Sequence, residues 1–174
     1  MNDTQLPELT VRSVLLGVLL SVILAGANAY LGLFAGMTVS ASIPAAVISM
    51  GILKLLKRSN VLENNIVQTA ASAGESLAAG VIFTFPALVI MDYWQDFDIR
   101  WVTAISAFGG LLGVLFTVPL RRAMIVEDPM TFPEGVATAQ VLQSGHAGRG
   151  GRRYILQGGI FGGLFKLGHQ ALNL

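Results

Sequence analysis

A continuous run of 41 residues, Ser13–Leu53, contains no charged side chain. A soluble core has no need of such a run, whereas two membrane-crossing segments joined by a tight connection require one. Charged residues make up only 12% of the whole chain, about half of what ordinary soluble domains carry. Because lipid forces every backbone group to find an internal partner, the apolar segments are predicted to be helices. The alternation typical of a barrel strand is absent.

Five segments are long and apolar enough to be predicted as membrane spans. Pro86 is expected to kink the third, and Lys166 and His169 interrupt the fifth. The predicted fold is an all-α integral membrane protein with about five transmembrane helices and a short re-entrant or interfacial helix. Residues 1–174 would form one transmembrane domain, with a cytoplasmic or re-entrant connection over 121–153. The predicted spans are Leu9–Leu33, Thr38–Leu56, Asn64–Met91, Trp101–Leu120 and Tyr154–Leu174.

The N-terminal region also imitates a cleaved signal peptide, since Arg12 precedes an apolar run that ends in Ala27-Asn28-Ala29. Asp3 and Glu8 make that region less basic than a signal peptide requires, which favours a retained first span.

The basic residues predict an orientation. With the N-terminus in the cytoplasm, only Arg100 falls in an outer loop, beside three aspartates, as the positive-inside rule expects. An N-terminus in the cytoplasm, and a place in the plasma or bacterial inner membrane, are therefore predicted. The nine basic residues on the inner side would be Arg12, Lys54, Lys57, Arg58, Arg121, Arg122, Arg149, Arg152 and Arg153.

Glu75 is the only charged residue in Asn64–Met91. It would lie about 17 Å along a helix that begins at Asn64, roughly half the depth of a ~30 Å hydrocarbon core. An acid at that depth costs at least ~2.5 kcal/mol, which by default indicates a functional group facing a polar cavity. Polar residues at a four-residue spacing are predicted to share its face: Asn64, Gln68, Ser72 and Ser76.

Two interpretations of this polar stripe stay open. It can line a water-accessible path in which Glu75 binds a ligand or exchanges a proton. Alternatively, Glu75 can pair with a polar group of another span and only fix the packing. Asn28, a polar amide deep in the first span, is a weaker candidate of the same kind.

The segment Asp128–Gly145 predicts a different element. Thr131 and Glu134 have the spacing of a capping box, and Pro133 suits a first helical turn. The helix that follows is too short to span, so it is predicted to be re-entrant or to lie on the cytoplasmic face.

Common catalytic and nucleotide-binding motifs are absent from the sequence, and so are cysteines. His146 and His169 are isolated in the sequence. No enzyme activity, cofactor, metal site or nucleic-acid partner is therefore predicted. An intramembrane enzyme that uses Glu75 as acid or base would need a second catalytic group at the same depth, and the first, second and fourth spans offer none.

Three blocks together resemble the N-terminal part of the oligopeptide transporter (OPT) family, in its bacterial and yellow-stripe-like branch. The similarity runs from about Arg12 to Leu174, and the order and spacing of the blocks make it specific. The blocks are AYLGLFAGMTVSASIPAAVISM at Ala29–Met50, LENNIVQTAASAGESLAAGVIFTFPAL at Leu62–Leu88 and FPEGVATAQVL at Phe132–Leu142.

The resemblance implies a secondary transporter that moves small peptides or metal-chelate complexes with protons. It implies a transport core that contains Asn64, Asn65, Gln68, Ser72, Gly74 and Glu75. It also implies an inner vestibule or gate at Phe132, Pro133, Glu134 and Gly135. The Asn-Pro-Gly signature of the eukaryotic peptide-transporting branch is missing, which leaves metal chelates open beside peptides.

Family members are several times longer than this chain, so the remaining transporter helices or a partner chain are expected to complete the bundle. The chain is thus expected to be a fragment, a truncated product or one component of an assembly. The rival interpretation is a structural or assembly subunit without transport of its own, which would use the glycine-rich helix surfaces to bind its partners.

Overall fold

The computed structural model describes residues 7–56, 60–146, 157–166 and 168, and in these ranges the chain is helical with short connections. Within these ranges, three helices are long and apolar enough to cross a membrane, the third of them formed by α4 and a π-helical extension. The elements in chain order are α1 (Val11–Ala35), α2 (Ser42–Leu55), α3 (Val61–Ile90), α4 (Ile99–Arg121) with its π-helical extension (Arg122–Glu127), α5 (Pro133–His146) and α6 (157–166).

Helices α1 and α3 run parallel and make the most extensive contact in the described structure. Thr10 caps α1 by accepting a hydrogen bond from the Ser13 backbone amide, and Asn60 caps α3 in the same way through Glu63. Because the hydrophobic effect does not drive helix association within lipid, close backbone approach must supply the contact. The apolar core consists of Leu16, Leu20, Ala45, Leu53, Val67 and Ala71.

The start of this helix pair is joined by an ion pair. Arg12 Nη2 lies 2.6 Å from Glu63 Oε2, and Arg12 Nε donates to Glu63 Oε1 over 2.8 Å. The Thr10 hydroxyl donates to the same Oε1 over 2.6 Å. The Glu63 side chain is fully buried, so these three donors replace the water that the carboxylate loses.

Gly17 lies where α1 and α3 approach each other closely, so a substitution there tests this packing. A Cβ added at Gly17 would lie 2.9 Å from the Cβ of Ala70, a distance that neither atom can relieve by rotation. We expect Gly17→Ala to lower the stability by roughly 1–3 kcal/mol through overpacking. The matched variant Gly26→Ala, where an added Cβ meets nothing within 4 Å, should be neutral or slightly stabilising. Thermal unfolding in detergent micelles compares the two, and equal melting temperatures would contradict the close packing.

The connection between α1 and α2 turns back into the bundle. Gly36 ends α1 in the left-handed region at φ 69°, which glycine adopts without a Cβ penalty. Gly32 faces Ile82 of α3, whereas Ser42 hydrogen-bonds to Ser72 of α3. Those two positions on α3 are ten residues apart, about 15 Å along the helix axis. Residues 37–41 therefore descend as non-helical chain to the middle of α3.

This descent explains why the prediction of five spans is not confirmed. The second predicted span, Thr38–Leu56, consists of non-helical chain followed by a helix of 14 residues, about 21 Å long and too short to cross a ~30 Å core. Composition alone does not distinguish a spanning helix from a non-helical segment followed by a short helix, because both can be equally apolar. The fifth predicted span lies partly outside the described residues, which include its helical part 157–166.

Helix α5 packs against α2 and α3. It begins level with the end of the descending segment, where Glu134 contacts Ser40. It ends beside α2, where Gly145 adjoins Met50. Helices α2 and α5 are thus two half-length helices that both begin near the level of Glu75. The two predicted positions of α5, re-entrant or on the cytoplasmic face, stay predictions.

Candidate functional site

Side chains from three helices hold the descending segment, residues 37–41. Asn28 of α1 forms two bonds with Val39: its Nδ2 donates to the carbonyl oxygen over 2.7 Å, and its Oδ1 accepts from the amide over 2.9 Å. The Ala41 amide donates to the carboxylate of Glu75 on α3. The Ser40 hydroxyl donates to Glu134 Oε1 of α5. Non-helical backbone at membrane depth is tolerated only with such partners or beside water.

Glu75 is therefore buried with an identified partner. Its exposure is 9%, and it lies about 21 Å from the start of α3 at Val61. Glu134 is close enough to interact electrostatically with it. Two carboxylates thus flank one piece of backbone, close to the N-terminal ends of α2 and α5, whose partial positive charge favours anions.

A cleft lined by both polar and apolar residues lies between α3 and α5. Its volume is about 950 Å³, within the range of small-molecule sites. On the α3 side it is lined by Val61, Leu62, Asn65, Gln68, Thr69, Ser72, Ala73 and Ser76. The other side comprises Ser42, Ile125, Phe132, Pro133, Glu134, Gly135, Thr138, Ala139, Leu142 and Gln143. Glu134 is the one charged residue among these.

The predicted polar stripe on α3 is divided between two faces. Gln68, Ser72 and Ser76 line the cleft, whereas Asn64 and Glu75 are buried towards the other helices. A four-residue spacing drifts by about 40° per step on an α-helix, so three steps carry Ser76 well away from Asn64. The prediction of a single shared face is wrong at these two positions.

The two polar faces of α3 have different partners. Asn64 accepts from the Ser49 hydroxyl over 2.9 Å and donates to the Asn60 carbonyl over 2.8 Å. Gln68 donates to Asn65 and Thr69 within its own helix. The Ser72 hydroxyl accepts from Ser42 over 3.2 Å. The buried face therefore fixes packing, and the cleft face has polar groups available to a ligand.

The predicted gate residues lie at the start of α5. Phe132, Pro133 and Gly135 line the cleft and also a shallower hollow of about 700 Å³ on the other side of the helix start. Pro133 is the first helical residue, as predicted. The predicted capping box is not formed among the described residues, because α5 begins at Pro133 and Phe132, not Thr131, takes the N-cap position. The Glu134 carboxylate accepts from Ser40 instead.

Sequence reasoning missed four contributors: Ser40, Ser42, Thr69 and Thr138. Thr138 had a detectable signal, since it follows Glu134 by four residues and so shares its helix face. Ser40 and Ser42 had no such signal, because their hydrogen-bond partners, Glu134 and Ser72, are distant in the sequence. Among the described residues, no group of three or more His, Asp or Glu side chains could hold a metal ion.

The long apolar helices and the buried polar groups at membrane depth define an all-helical integral membrane protein. The chain belongs to the OPT oligopeptide transporter family, whose family model matches residues 8–170. This confirms the family resemblance. The bacterial and plant relatives it resembles are named as transporters rather than as enzymes.

Among these relatives, a Haemophilus influenzae protein provisionally named as an oligopeptide transporter is 54% identical over 137 residues, covering 78% of this chain and 22% of its own. The Arabidopsis thaliana metal-nicotianamine transporter YSL3 is 31% identical, covering 82% of this chain and 25% of its own. YSL2 of the same plant is 28% identical, with coverages of 82% and 26%. The chain thus spans about a quarter of the length of these relatives. No solved structure matches it.

Proposed function

We propose that the residues that line the cleft form one wall of a pathway for secondary active transport of oligopeptides or metal-chelate complexes. Transport would be coupled to protons and proceed by alternating access. The observation that carries the proposal is the cleft between α3 and α5, which ends beside backbone held by Glu75 and Glu134. Half-length helices that meet non-helical backbone near mid-membrane are typical of transporter binding sites.

The proposed orientation places the N-terminus in the cytoplasm and the protein in the plasma or bacterial inner membrane. The cleft lining then extends from Val61, at the cytoplasmic end of α3, to Ser76, a distance of about 22 Å. The cleft would be an inward-facing vestibule that stops near mid-depth. Helix α5 would be the re-entrant element that forms the wall of the cleft opposite α3. Phe132 to Gly135, at the start of α5, would lie at the closed end of the cleft near mid-depth.

The relatives support the substrate classes. Their names refer to oligopeptides in one case and to metal-nicotianamine in the others. Because the chain spans about a quarter of their length, the remaining helices of such a transporter would supply the opposite wall. Helix α4 is consistent with this, since none of its residues is buried among the described elements.

Chemical blocking of the cleft tests the proposal. The chain contains no cysteine, so one introduced thiol reports on one position. Residues 8–170 would replace the matching segment of the Haemophilus influenzae relative in cysteine-free form, and uptake of a dipeptide and of a metal chelate would be measured in vesicles. We expect a hydrophilic maleimide to label Ser72→Cys and to lower uptake at least tenfold, because the adduct fills the cleft.

The matched control is Leu77→Cys on the same helix. Leu77 is 44% exposed and does not line the cleft. In lipid, a thiol there stays protonated and unreactive, so uptake should persist. Normal uptake by fully labelled Ser72→Cys would contradict a transport path through the cleft. It would favour the assembly-subunit alternative, which the unburied surface of α4 also supports.

A further inference from the structure

Helix α5 is attached to the described bundle by one face. Glu134 contacts Ser40 near the start of the helix, and Gly145 adjoins Met50 of α2 near its end, so α5 and α2 run parallel. Glu134, Thr138 and Gly145 lie within about 40° of one another around an α-helix, and Thr138 therefore faces the same neighbour. The residues of the opposite face are exposed: Gly135, Val136, Ala139, Gln140 and Gln143.

The hydroxyl of Thr138 is enclosed at this contact. Thr138 is 4% exposed, and its Oγ1 is buried without a hydrogen-bond partner among the residues that the structure describes. Buried hydroxyls in native structures are almost always paired. An unpaired one has lost its hydrogen bonds to water and gained none in return. The hydroxyl of Thr138 therefore opposes the packing of α5 in the position seen here.

One hydrogen bond acts in the opposite direction. Glu134 Oε1 accepts from the Ser40 hydroxyl where both groups are exposed. A bond to an ionised acceptor is stronger than a neutral one, but at an exposed site water can replace it. Helix α5 is thus held by a bond that water can replace and opposed by a hydroxyl that water would satisfy. Opposing contributions of similar size are what an element with two populated positions requires.

The chain that leads into α5 suits a movement of the whole helix. It consists of the π-helical segment Arg122–Glu127 followed by the non-helical residues 128–132. Single π-helical turns are frequent at functional sites. A helix that is joined through such a segment and packed by one face can change its position as a unit.

The start of α5 covers the surroundings of Glu75. Glu134 contacts Ser40, and the next residue, Ala41, donates its amide to Glu75. Glu75 is buried and does not line the cleft, although Ser72, one turn earlier on α3, does. Movement of α5 away from Ser40 would therefore extend the cleft to the Glu75 carboxylate.

We propose that α5 is a lid with two positions, docked on α2 as described and released from it, and that release gives water in the cleft access to Glu75. The bond between Ser40 and Glu134 favours the docked position, and the buried hydroxyl of Thr138 favours release. The inference rests on the proposed proton coupling for its purpose but not for its geometry.

The reaction of Glu75 with a water-soluble carbodiimide and glycine methyl ester measures the released fraction. The full chain would be placed in lipid nanodiscs at constant pH, and mass spectrometry would locate the modified carboxylates. Thr138→Val removes the unpaired hydroxyl with little change of shape and should lower the rate at Glu75 about tenfold. Thr138→Ser keeps a hydroxyl and should leave the rate within about twofold of the original.

Ser40→Ala tests the opposing contribution. It removes the bond to Glu134 without altering the charge near Glu75, and it should raise the rate at Glu75 about tenfold. Glu63 is the internal control, because its carboxylate is fully buried on the same helix and held by Arg12. Its rate should be the same in all variants. A Glu63 rate that changed in step with that of Glu75 would indicate general loosening and overturn the lid.

Spin labels measure the two positions directly, since the chain has no cysteine of its own. Labels at Gln140→Cys on α5 and Val22→Cys on α1, both exposed positions, should give two distance populations by double electron–electron resonance. Thr138→Val should enrich one population and Ser40→Ala the other. The control pair is Val22→Cys with Leu77→Cys on α3, which should give one distribution that is the same in all variants.

A single distance for the α5 pair in every variant, or equal rates at Glu75 in all of them, would overturn the proposal. These outcomes are separate from those of the uptake experiment. Two positions of α5 in a protein that takes up neither substrate class would refute transport but not the lid. Uptake that is blocked by labelled Ser72→Cys while α5 keeps one position would refute the lid but not the transport path.

Discussion

Replacing Glu75 by glutamine is expected to reduce proton-driven uptake at least tenfold while leaving the protein folded. Glutamine has nearly the same shape, and its side-chain oxygen can still accept the hydrogen bond from the Ala41 amide. What it cannot do is bind and release a proton. The substitution therefore separates proton coupling from the packing role that the Ala41 contact also allows. Uptake into vesicles with an imposed pH gradient measures the effect, in the chimera with the Haemophilus influenzae relative.

Two further measurements sharpen this experiment. Substrate exchange without a pH gradient needs no net proton movement and should persist in Glu75→Gln. Glu127→Gln removes a carboxylate that pairs with Arg122 outside the cleft, and it should leave uptake unchanged. Unaltered uptake and pH dependence in Glu75→Gln would leave Glu75 as an anchor for the connection between α1 and α2, with no part in coupling.

Replacing Asn28 by leucine is expected to destabilise the protein by roughly 4 kcal/mol. The amide of Asn28 satisfies both the amide and the carbonyl of Val39, and each orphaned buried group costs about 1–3 kcal/mol. Leucine removes both bonds at once and offers no alternative. Unfolding in mixed detergent micelles, followed by circular dichroism, gives the free energy.

Asn28→Asp and Tyr30→Leu are the controls. The aspartate variant would keep the acceptor for the Val39 amide but set a second acceptor against the Val39 carbonyl, so it should also be destabilised at neutral pH, and less so at low pH, where the protonated acid can donate. Tyr30 is on the same helix and 68% exposed, and its substitution should change the stability by less than about 0.5 kcal/mol. If leucine at position 28 costs no more than leucine at position 30, the Asn28 contacts do not hold the connection.

The sequence predicted the long apolar helices well and the half-length ones poorly. Helices α1, α3 and α4 are close to their predicted bounds because hydropathy and charge limit them. The segment Thr38–Leu56 is equally apolar, but its first residues are non-helical because Asn28, Glu75 and Glu134 bind them. Such long-range partners leave no periodic signal in the segment that they hold.

The candidate site shows the same limit. An isolated acid in an apolar segment predicted a carboxylate that faces a polar cavity, whereas Glu75 is buried and does not line the cleft. Its partner could not be predicted, because that partner is a backbone amide of another element. The cleft lining on α3 could be predicted only approximately, since the direction of each side chain depends on accumulated helical rotation. Thr138 is ordinary in sequence and distinctive only through the absence of a described partner.

The distances along the chain between residues 37–41 and their partners bear on biosynthesis. Asn28 leaves the ribosome before Val39, but Glu134 follows Ser40 by 94 residues. Until α3 and α5 have been synthesised, the amide of Ala41 and the hydroxyl of Ser40 have no protein partner and must stay hydrated, since lipid offers none. We therefore expect residues 37–41 and α2 to be buried late. Their packing against α1 would be completed only after α3 and α5 have reached the translocon.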